Sequence, residues 1–302
     1  MTEVETRCGF VAIIGAPNAG KSTLVNRLVG AKVSIVSPKV QTTRFRVLGI
    51  ALVPAVQAQI VFVDTPGMFA PKRRLERAMV HAAWSGAAEA DRLALVVDAV
   101  TGVDADVSAI IERLSEQKRR ATLVLNKIDA VRRDALLGLT ARLDGLGVFD
   151  RVFMVSAKTG DHTDDLLAYF AELVPPGPWH FPEDQLSDMP MRLLAAEITR
   201  ERLFHRLHQE LPYAVLVETD SWTEFKDGSV RIDQTVYVQR DSQKAIVLGK
   251  GGRQIKDIGS TARLELESLL ERPVHLFVHV KVREKWLDER DRYREMGLDF
   301  DA

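Results

Sequence analysis

The chain has a single cysteine, Cys8, in 302 residues. A disulfide framework within the chain and a zinc site built on cysteine pairs are both excluded, and a reducing compartment fits. Cys8 itself reads as a small apolar residue at a strand start. Neither charge is in surplus. Lys and Arg number 41 against 42 Asp and Glu, a formal net charge of −1. No global field draws such a protein to a polyanion, so any nucleic-acid site must be a local patch. Long apolar runs are also missing. The run LALVVDAV, Leu93 to Val100, falls far short of the roughly 20 residues a membrane helix needs. The opening MTEVETRCGF is acidic and polar and does not read as a signal peptide, so the expected location is the cytoplasm. Internal repeats and low-complexity tracts are absent.

What remains is ordinary globular composition, 46% hydrophobic and 27% charged, at a length comfortable for two domains. The first part alternates short Val- and Ile-rich runs with amphipathic ones. GFVAIIG (9–15), AQIVFVD (58–64), RLALVVDA (92–99), ATLVLNK (121–127) and RVFMVSA (151–157) read as buried strands. VSAIIERLSEQKRR places Ile110, Ile111 and Leu114 on one side of a helix. Strand and helix in alternation predict an α/β domain with a mostly parallel sheet covered on both faces. VPPGPWHFPED (174–184) breaks that rhythm with four prolines and a glycine in eleven residues. The expected division is residues 1–175, a linker at 176–190, and a smaller α+β domain at 191–302. The latter opens with the helix MRLLAAEITRERLFHRLHQELP. Two strands joined by the turn KDGS follow, then a glycine turn, a helix, the strand VHLFVHVKV and a charged helical tail.

GAPNAGKS, Gly15, Ala16, Pro17, Asn18, Ala19, Gly20, Lys21 and Ser22, has the G-x-x-x-x-G-K-S spacing between a strand and a helix. Its glycines let backbone N–H groups surround an anion, and the helix N-terminus adds its dipole. Lys21 is expected at the β and γ phosphates, Ser22 on Mg²⁺, and Thr23 beside them. A ligand-free glycine turn is the weaker reading, because motif and flanks agree. NKID, with Asn126, Lys127 and Asp129, selects the base. A carboxylate there accepts from guanine N1–H and its exocyclic amine, and adenine offers no such pair. In SAK (Ser156, Ala157, Lys158) the Ala157 N–H is expected at guanine O6. In DTPG, Asp64 is expected to hold Mg²⁺ through water and Gly67 to donate to the γ-phosphate. Thr43 is favoured over Thr42 as a further metal ligand. Lys21, Thr43, Asp64 and Gly67 form the expected catalytic set. After Gly67 stands Met68, which can neither orient water nor carry a proton. Slow hydrolysis follows, roughly 10⁻⁴ to 10⁻² s⁻¹ for the isolated protein.

These elements, over residues 8–175, resemble the translation-factor-related GTPases. Asn18 in PNAGKS resembles the asparagine that helps hold K⁺ near the phosphates in some GTPases; shaping the loop is an equal alternative.

The second glycine turn is Gly249, Lys250, Gly251, Gly252. It has G-x-x-G spacing and no following Ser or Thr, so it is not another phosphate loop of the first kind. From Lys244 to Lys256 there are four cations and no acid, in a region otherwise richer in acids. The turn lets backbone approach an RNA strand, while Lys250, Arg253 and Lys256 neutralise phosphates. Ile246, Leu248, Ile255 and Ile258 are expected to line a groove for bases. The apolar run KAIVLG before the turn reads as a strand. The arrangement resembles a type II K-homology domain, and a GTPase domain followed by one resembles the Era family of bacterial ribosome-assembly GTPases. QTTRFRVLGI, HFPED, ELPYAV and RPVHLFVHVKV also look like that family. The resemblance implies GTP and GDP with Mg²⁺ as ligands. It implies binding to the 3′ end of 16S rRNA in the assembling 30S subunit, favoured by GTP. A monomer and a loose, peripheral membrane contact complete the expectation. In this chain GKGG has glycine in its third position, which predicts a more flexible turn.

Overall fold

The computed structural model describes residues 5–208 and 211–302. Gln209 and Glu210, expected near the end of the helix that starts at Met191, lie outside the described residues. The chain divides into two compact units, residues 1–188 with 293–302, and residues 189–292.

In the first unit β1 (Arg7–Ile14) is central. It lies between β3 (Ala58–Asp64) and β4 (Arg92–Asp98), and β5 (Ala121–Asn126) and β6 (Phe149–Met154) extend the sheet beyond β4. These five strands run parallel. A sixth, β2 (Val47–Val53), pairs antiparallel with β3 at the edge. The sequence reading has no strand here. VLGIALV does not alternate, and a glycine in mid-run weakens the strand signal.

The parallel strands are continuous apolar runs because both faces are covered. Along β1, Ala12 and Ile14 enter one core, and Val11 and Ile13 enter the other. Helices α1 (Lys21–Val29), α2 (Arg74–Glu89), α3 (Ala105–Glu116), α4 (Arg133–Asp144) and α5 (Thr163–Leu173) supply the other halves of these cores. Helix α3 starts where Asp104 accepts from the Val107 N–H at 2.8 Å. It buries Val107, Ile110, Ile111 and Leu114, each worth about 1.5–3 kcal/mol relative to exposure. Because β1 has a parallel neighbour on either side, the ends of β1, β3, β4 and β5 open around one crevice, where ligands of such sheets bind.

The proline-rich segment is tied along this unit. Trp179 Nε1 donates to Gln57 O (3.1 Å), and the His180 and Phe181 N–H groups donate to Gln59 Oε1 (2.9 and 3.0 Å). Ile50 N–H donates to Leu186 O at 2.9 Å, and Ser187 Oγ to Leu48 O at 2.7 Å. Residues 293–302 also belong to this unit, where the Arg74 guanidinium lies 4.3 Å from the Phe300 ring centre.

The second unit runs α6 (Met191–Arg206), β7 (Leu216–Glu224), β8 (Val230–Val238), α7 (Asp241–Leu248), α8 (Arg253–Leu270) and β9 (Val274–Val282). Strands β7 and β8 are antiparallel, β8 and β9 parallel, in the order β7-β8-β9. The expected KDGS turn joins the hairpin, with Gly228 N–H donating to Phe225 O at 3.1 Å. KAIVLG is not a strand; it forms the end of α7. An apolar run this short has no period of its own. Here it follows an acidic first turn at Asp241, and only Val247 is fully buried. Leu248 packs against the core and Ile258 is wholly inside it, so neither is a groove residue as expected; Ile246 is exposed.

Candidate functional site

The phosphate loop follows β1 and opens α1. Gly20 caps that helix at φ 93°, and a Cβ there would come within 2.3 Å of Asn126 Nδ2. Only glycine fits both the left-handed backbone and the contact. The Lys21 side chain is buried, with Nζ donating to Gly15 O (3.1 Å) and Ala16 O (2.9 Å). Burial lowers its pKa to about 8, against the pull of Asp64. The lysine is thus parked on loop carbonyls, beside the cleft it is expected to serve.

Ser22 Oγ and Thr43 Oγ1 are 2.8 Å apart, whereas Thr42 Oγ1 turns to Lys39 O at 2.7 Å. The structure therefore brings Thr43, not Thr42, to the serine expected to bind the metal. Asp64 is fully buried at the end of β3, and neither carboxylate oxygen has a hydrogen-bond partner. Burial pushes its pKa up. The hydroxyls of Ser22, Ser34 and Thr43 lie close enough to oppose that rise without being aligned as donors. Two hydroxyls beside a carboxylate with unused lone pairs form a hard-oxygen set, which suits Mg²⁺. Gly67 packs on Pro17, and Met68 N–H donates to Gly15 O at 3.0 Å. The Met68 side chain is in the core, so this position offers nothing to a water.

The base-recognition motif is wired to the phosphate loop. Asn126 Nδ2 donates to Ala19 O (2.9 Å), and its Oδ1 accepts from Ala157 N–H (3.0 Å). Guanine O6 would therefore have to share the Ala157 N–H. Lys127 Nζ donates to Asn18 O (2.8 Å) and Asp98 Oδ2 (2.6 Å). Asn18 and Lys127 both sit at positive φ, 61° and 67°, the kind of strain that collects at ligand sites. Ser156 Oγ donates to Asp129 Oδ1 at 2.7 Å and so fixes the carboxylate expected to read the base. Arg27 on α1 holds the SAK turn by donating to Ala157 O (3.3 Å) and Lys158 O (2.9 Å).

A cleft of about 500 Å³ is lined by Pro17, Asn18, Gly20, Lys21, Ser22, Thr23, Gly67 and Lys127, together with 35–39, Gln41, both Thr42 and Thr43, Asp98 and Thr101. Asp129 and 156–158 lie outside its lining. Asp98 and Arg27 are absent from the sequence reading. Asp98 could have been found as the polar end of a strand; Arg27 has no local signal.

In the second unit α7 ends at Gly249, whose N–H donates to Ala245 O at 2.9 Å. Gly249, Gly251 and Gly252 all have positive φ, 69°, 62° and 74°. The third-position glycine thus takes a left-handed conformation that most side chains resist. Gly252 is the N-cap of the 18-residue α8, which has no acid in its first turn. Lys250, Arg253 and Lys256 are exposed around that positive helix end. Next to it lies a groove of about 330 Å³ between α8 and β9, lined by Ile255, Lys256, Gly259, Arg263, Leu276 and Val278, among others. A cationic glycine turn leading into a half-apolar groove has the chemistry to hold a single nucleic-acid strand.

A nucleotide cleft and a G-x-x-G groove on one chain define a GTPase joined to a K-homology domain. Family models agree: one described as "50S ribosome-binding GTPase" matches residues 10–127, and a K-homology domain model matches residues 210–287. GTPase Era of Rhizobium meliloti (strain 1021) is 62% identical over 297 residues, covering 98% of this chain and 94% of the relative. GTPase Era of Bradyrhizobium sp. (strain ORS 278) is 59% identical and covers 98% and 95%. A crystal structure of Era with MgGDPNP and nucleotides 1506–1542 of 16S ribosomal RNA superposes with a TM-score of 0.91. It has 37% identity and covers 97% of this chain and 99% of that one. An Aquifex aeolicus Era variant bound to GDP and AlF4⁻ gives the same figures. The chain belongs to the Era family of GTPases, and its enzymatic reaction is the hydrolysis of GTP to GDP and phosphate.

Proposed function

We propose that the chain is a slow GTP-driven switch that grips the 3′ end of 16S rRNA through its second unit and assists maturation of the 30S subunit. The observation that carries this reading is the presence of both sites on a chain similar over nearly its whole length to an Era bound to a GTP analogue and 16S rRNA nucleotides. In this reading Lys21 leaves the carbonyls of Gly15 and Ala16 for the β and γ phosphates. Ser22, Thr43 and Asp64 would hold Mg²⁺, which would supply neutralisation of phosphate charge. Gly67 N–H meets the γ-phosphate, Asp129 reads guanine, and Asn126 and Lys127 brace the loop. No group at position 68 aims the water, so turnover stays near roughly 10⁻⁴ to 10⁻² s⁻¹ without a partner.

The nucleotide task lies within residues 1–175 and the RNA task within 191–302. Gly249, Lys250, Gly251, Gly252, Arg253 and Lys256 take the RNA backbone. The protein works in the cytoplasm as a monomer with a peripheral membrane contact; no described helix is long and apolar enough to cross a membrane. Asn18, exposed at the cleft, helps hold K⁺ beside the phosphates, and equal hydrolysis rates in K⁺ and Na⁺ buffers would remove that role. The reading as a whole is tested by crosslinking and sequencing of bound RNA. Recovery of the 16S 3′ end, enriched with GTP over GDP, supports it; enrichment of unrelated RNA with either nucleotide refutes it.

A further inference from the structure

Helices α6 and α8 cover the face of the second sheet that carries Val274, Leu276, Val278 and Val280. The alternate residues of β9, His275, Phe277, His279 and Lys281, are all exposed on the other face. Phe277 is 45% exposed, and so is Phe225 at the hairpin end. They are the two aromatic side chains among the exposed large hydrophobic residues described. Phe225 meets His275 edge-on, with ring centroids 6.3 Å apart. The Arg231 guanidinium lies 4.6 Å from the centre of the Phe277 ring. Asp233 fixes that guanidinium over the ring with two bonds of 2.9 Å, so the flat guanidinium caps one face of Phe277 and turns its own outer face away from the ring.

The other carboxylates near this face are engaged as well. Glu224 pairs with Arg272 at 2.9 Å, and Asp227 accepts from the Ser229 hydroxyl and N–H. From Arg272 to Arg283 the chain has three Arg or Lys, two His and no acid. Strand β9 is one edge of the sheet and also forms one wall of the α8 groove, whose lining includes Phe277 itself, so groove and outer face are continuous at that residue. A strand held in that groove reaches the outer face by turning across the edge of β9.

We propose that this outer face, centred on Phe225, His275, Phe277 and Arg231, is a stacking platform for single-stranded RNA bases adjoining those in the groove. The proposal rests on the RNA-binding reading above. Separated rings and a flat guanidinium offer π-faces to any base, and the acid-free edge suits the phosphates between them. A protein partner would want a continuous apolar patch, which charged and polar residues interrupt here.

The test uses the full chain with MgGDPNP and fluorescence anisotropy. One RNA of about four nucleotides fills a G-x-x-G groove, and a second of about ten extends it. The longer RNA is expected to bind more tightly. Phe225→Ala is expected to weaken it about 5- to 150-fold, the contribution of one stacked base, while sparing the short RNA. Phe225→Trp restores the affinity. A 2-aminopurine in the extension is quenched by the parent protein and not by Phe225→Ala. Equal affinity for both lengths, or a long RNA indifferent to Phe225→Ala, overturns the proposal and leaves the face to a protein. Lys250→Asp separates the two readings. If it abolishes short-RNA binding while Phe225→Ala is silent, the groove stands and the platform falls. If Lys250→Asp is silent while Phe225→Ala weakens the long RNA, the platform stands and the groove reading falls.

Discussion

Ser22 Oγ and Thr43 Oγ1 lie 2.8 Å apart above a buried Asp64 whose two oxygens have no hydrogen-bond partner. The serine comes from the phosphate loop and the threonine from the loop before β2, so their meeting joins the two loops at the cleft where we propose Mg²⁺ binds. Thr43→Ala is expected to lower GTP hydrolysis about 10- to 100-fold, as loss of an orienting metal partner does. Thr42→Ala leaves it within twofold or so, since that hydroxyl is engaged with Lys39 O. Ser22→Ala abolishes turnover. Single-turnover rates across a Mg²⁺ titration decide; equal effects at Thr42 and Thr43 would contradict the assignment.

Ser156 and Asp129 form the second such pair, at 2.7 Å. Asp129→Asn replaces an acceptor by a group that donates to the xanthine O2, so preference is expected to move from GTP toward XTP by a factor of about 10⁴. Ser156→Ala only frees the carboxylate, and is expected to weaken GTP and GDP together without changing base choice. Competition binding with GTP, GDP and XTP measures both. An Asp129→Asn variant whose base preference is unchanged would show that Asp129 is not the base reader.

Much of this was legible before the structure because the motifs carry their own context. GAPNAGKS between a strand and a helix, NKID and SAK at strand ends, and G-x-x-G before a helix each fix local geometry through glycine and strand periodicity. What was illegible depends on contacts far apart in sequence. Lys127 bridges to Asn18 and Asp98, and Arg27 reaches the SAK turn; no local pattern announces either. Strand β2 was hidden by Gly49. The helix α7 was misread because KAIVLG is too short to show a period. Ile258 looked like a groove residue because apolar neighbours of a turn serve core and groove alike until packing separates them.

Asn126 is a brace, so its removal should be felt in stability as well as in binding. Asn126→Ala deletes two buried bonds and leaves the Ala157 N–H and Ala19 O without that partner. The expected cost is about 2–6 kcal/mol of unfolding free energy, from one to three for each of the two groups left unsatisfied. Urea melts of the nucleotide-free protein test this. A variant of parental stability that nevertheless lost GTP would mean the amide acts on the ligand directly.

The two glycine loops should be separable by mutation. Lys250→Asp reverses a charge at the exposed helix end, and Gly251→Asp adds an acid where the backbone is left-handed and nothing lies within 4 Å of a new Cβ. Aspartate tolerates that conformation better than most residues. Both variants are expected to weaken RNA binding, with a shallower salt dependence for Lys250→Asp, and to keep the parental GTPase rate. Joint loss of both activities would point to misfolding.

Lys21 makes a pH prediction with a definite sign. In the free protein burial lowers its pKa to about 8. Phosphates placed beside the ammonium raise that value, and a ligand that raises a pKa binds with proton uptake. GDP binding in EDTA at pH 8.5 should therefore take up about 0.7 proton, and close to none below pH 7, where Lys21 is already charged. Affinity falls as pH rises through 8. Adding Mg²⁺ works in the opposite sense at Asp64, whose carboxyl is held up by burial and must be ionised to take the metal. Calorimetry in buffers of different ionisation enthalpy reads both signs. Proton release on GDP binding in EDTA would show that Lys21 is not the group that meets the phosphates.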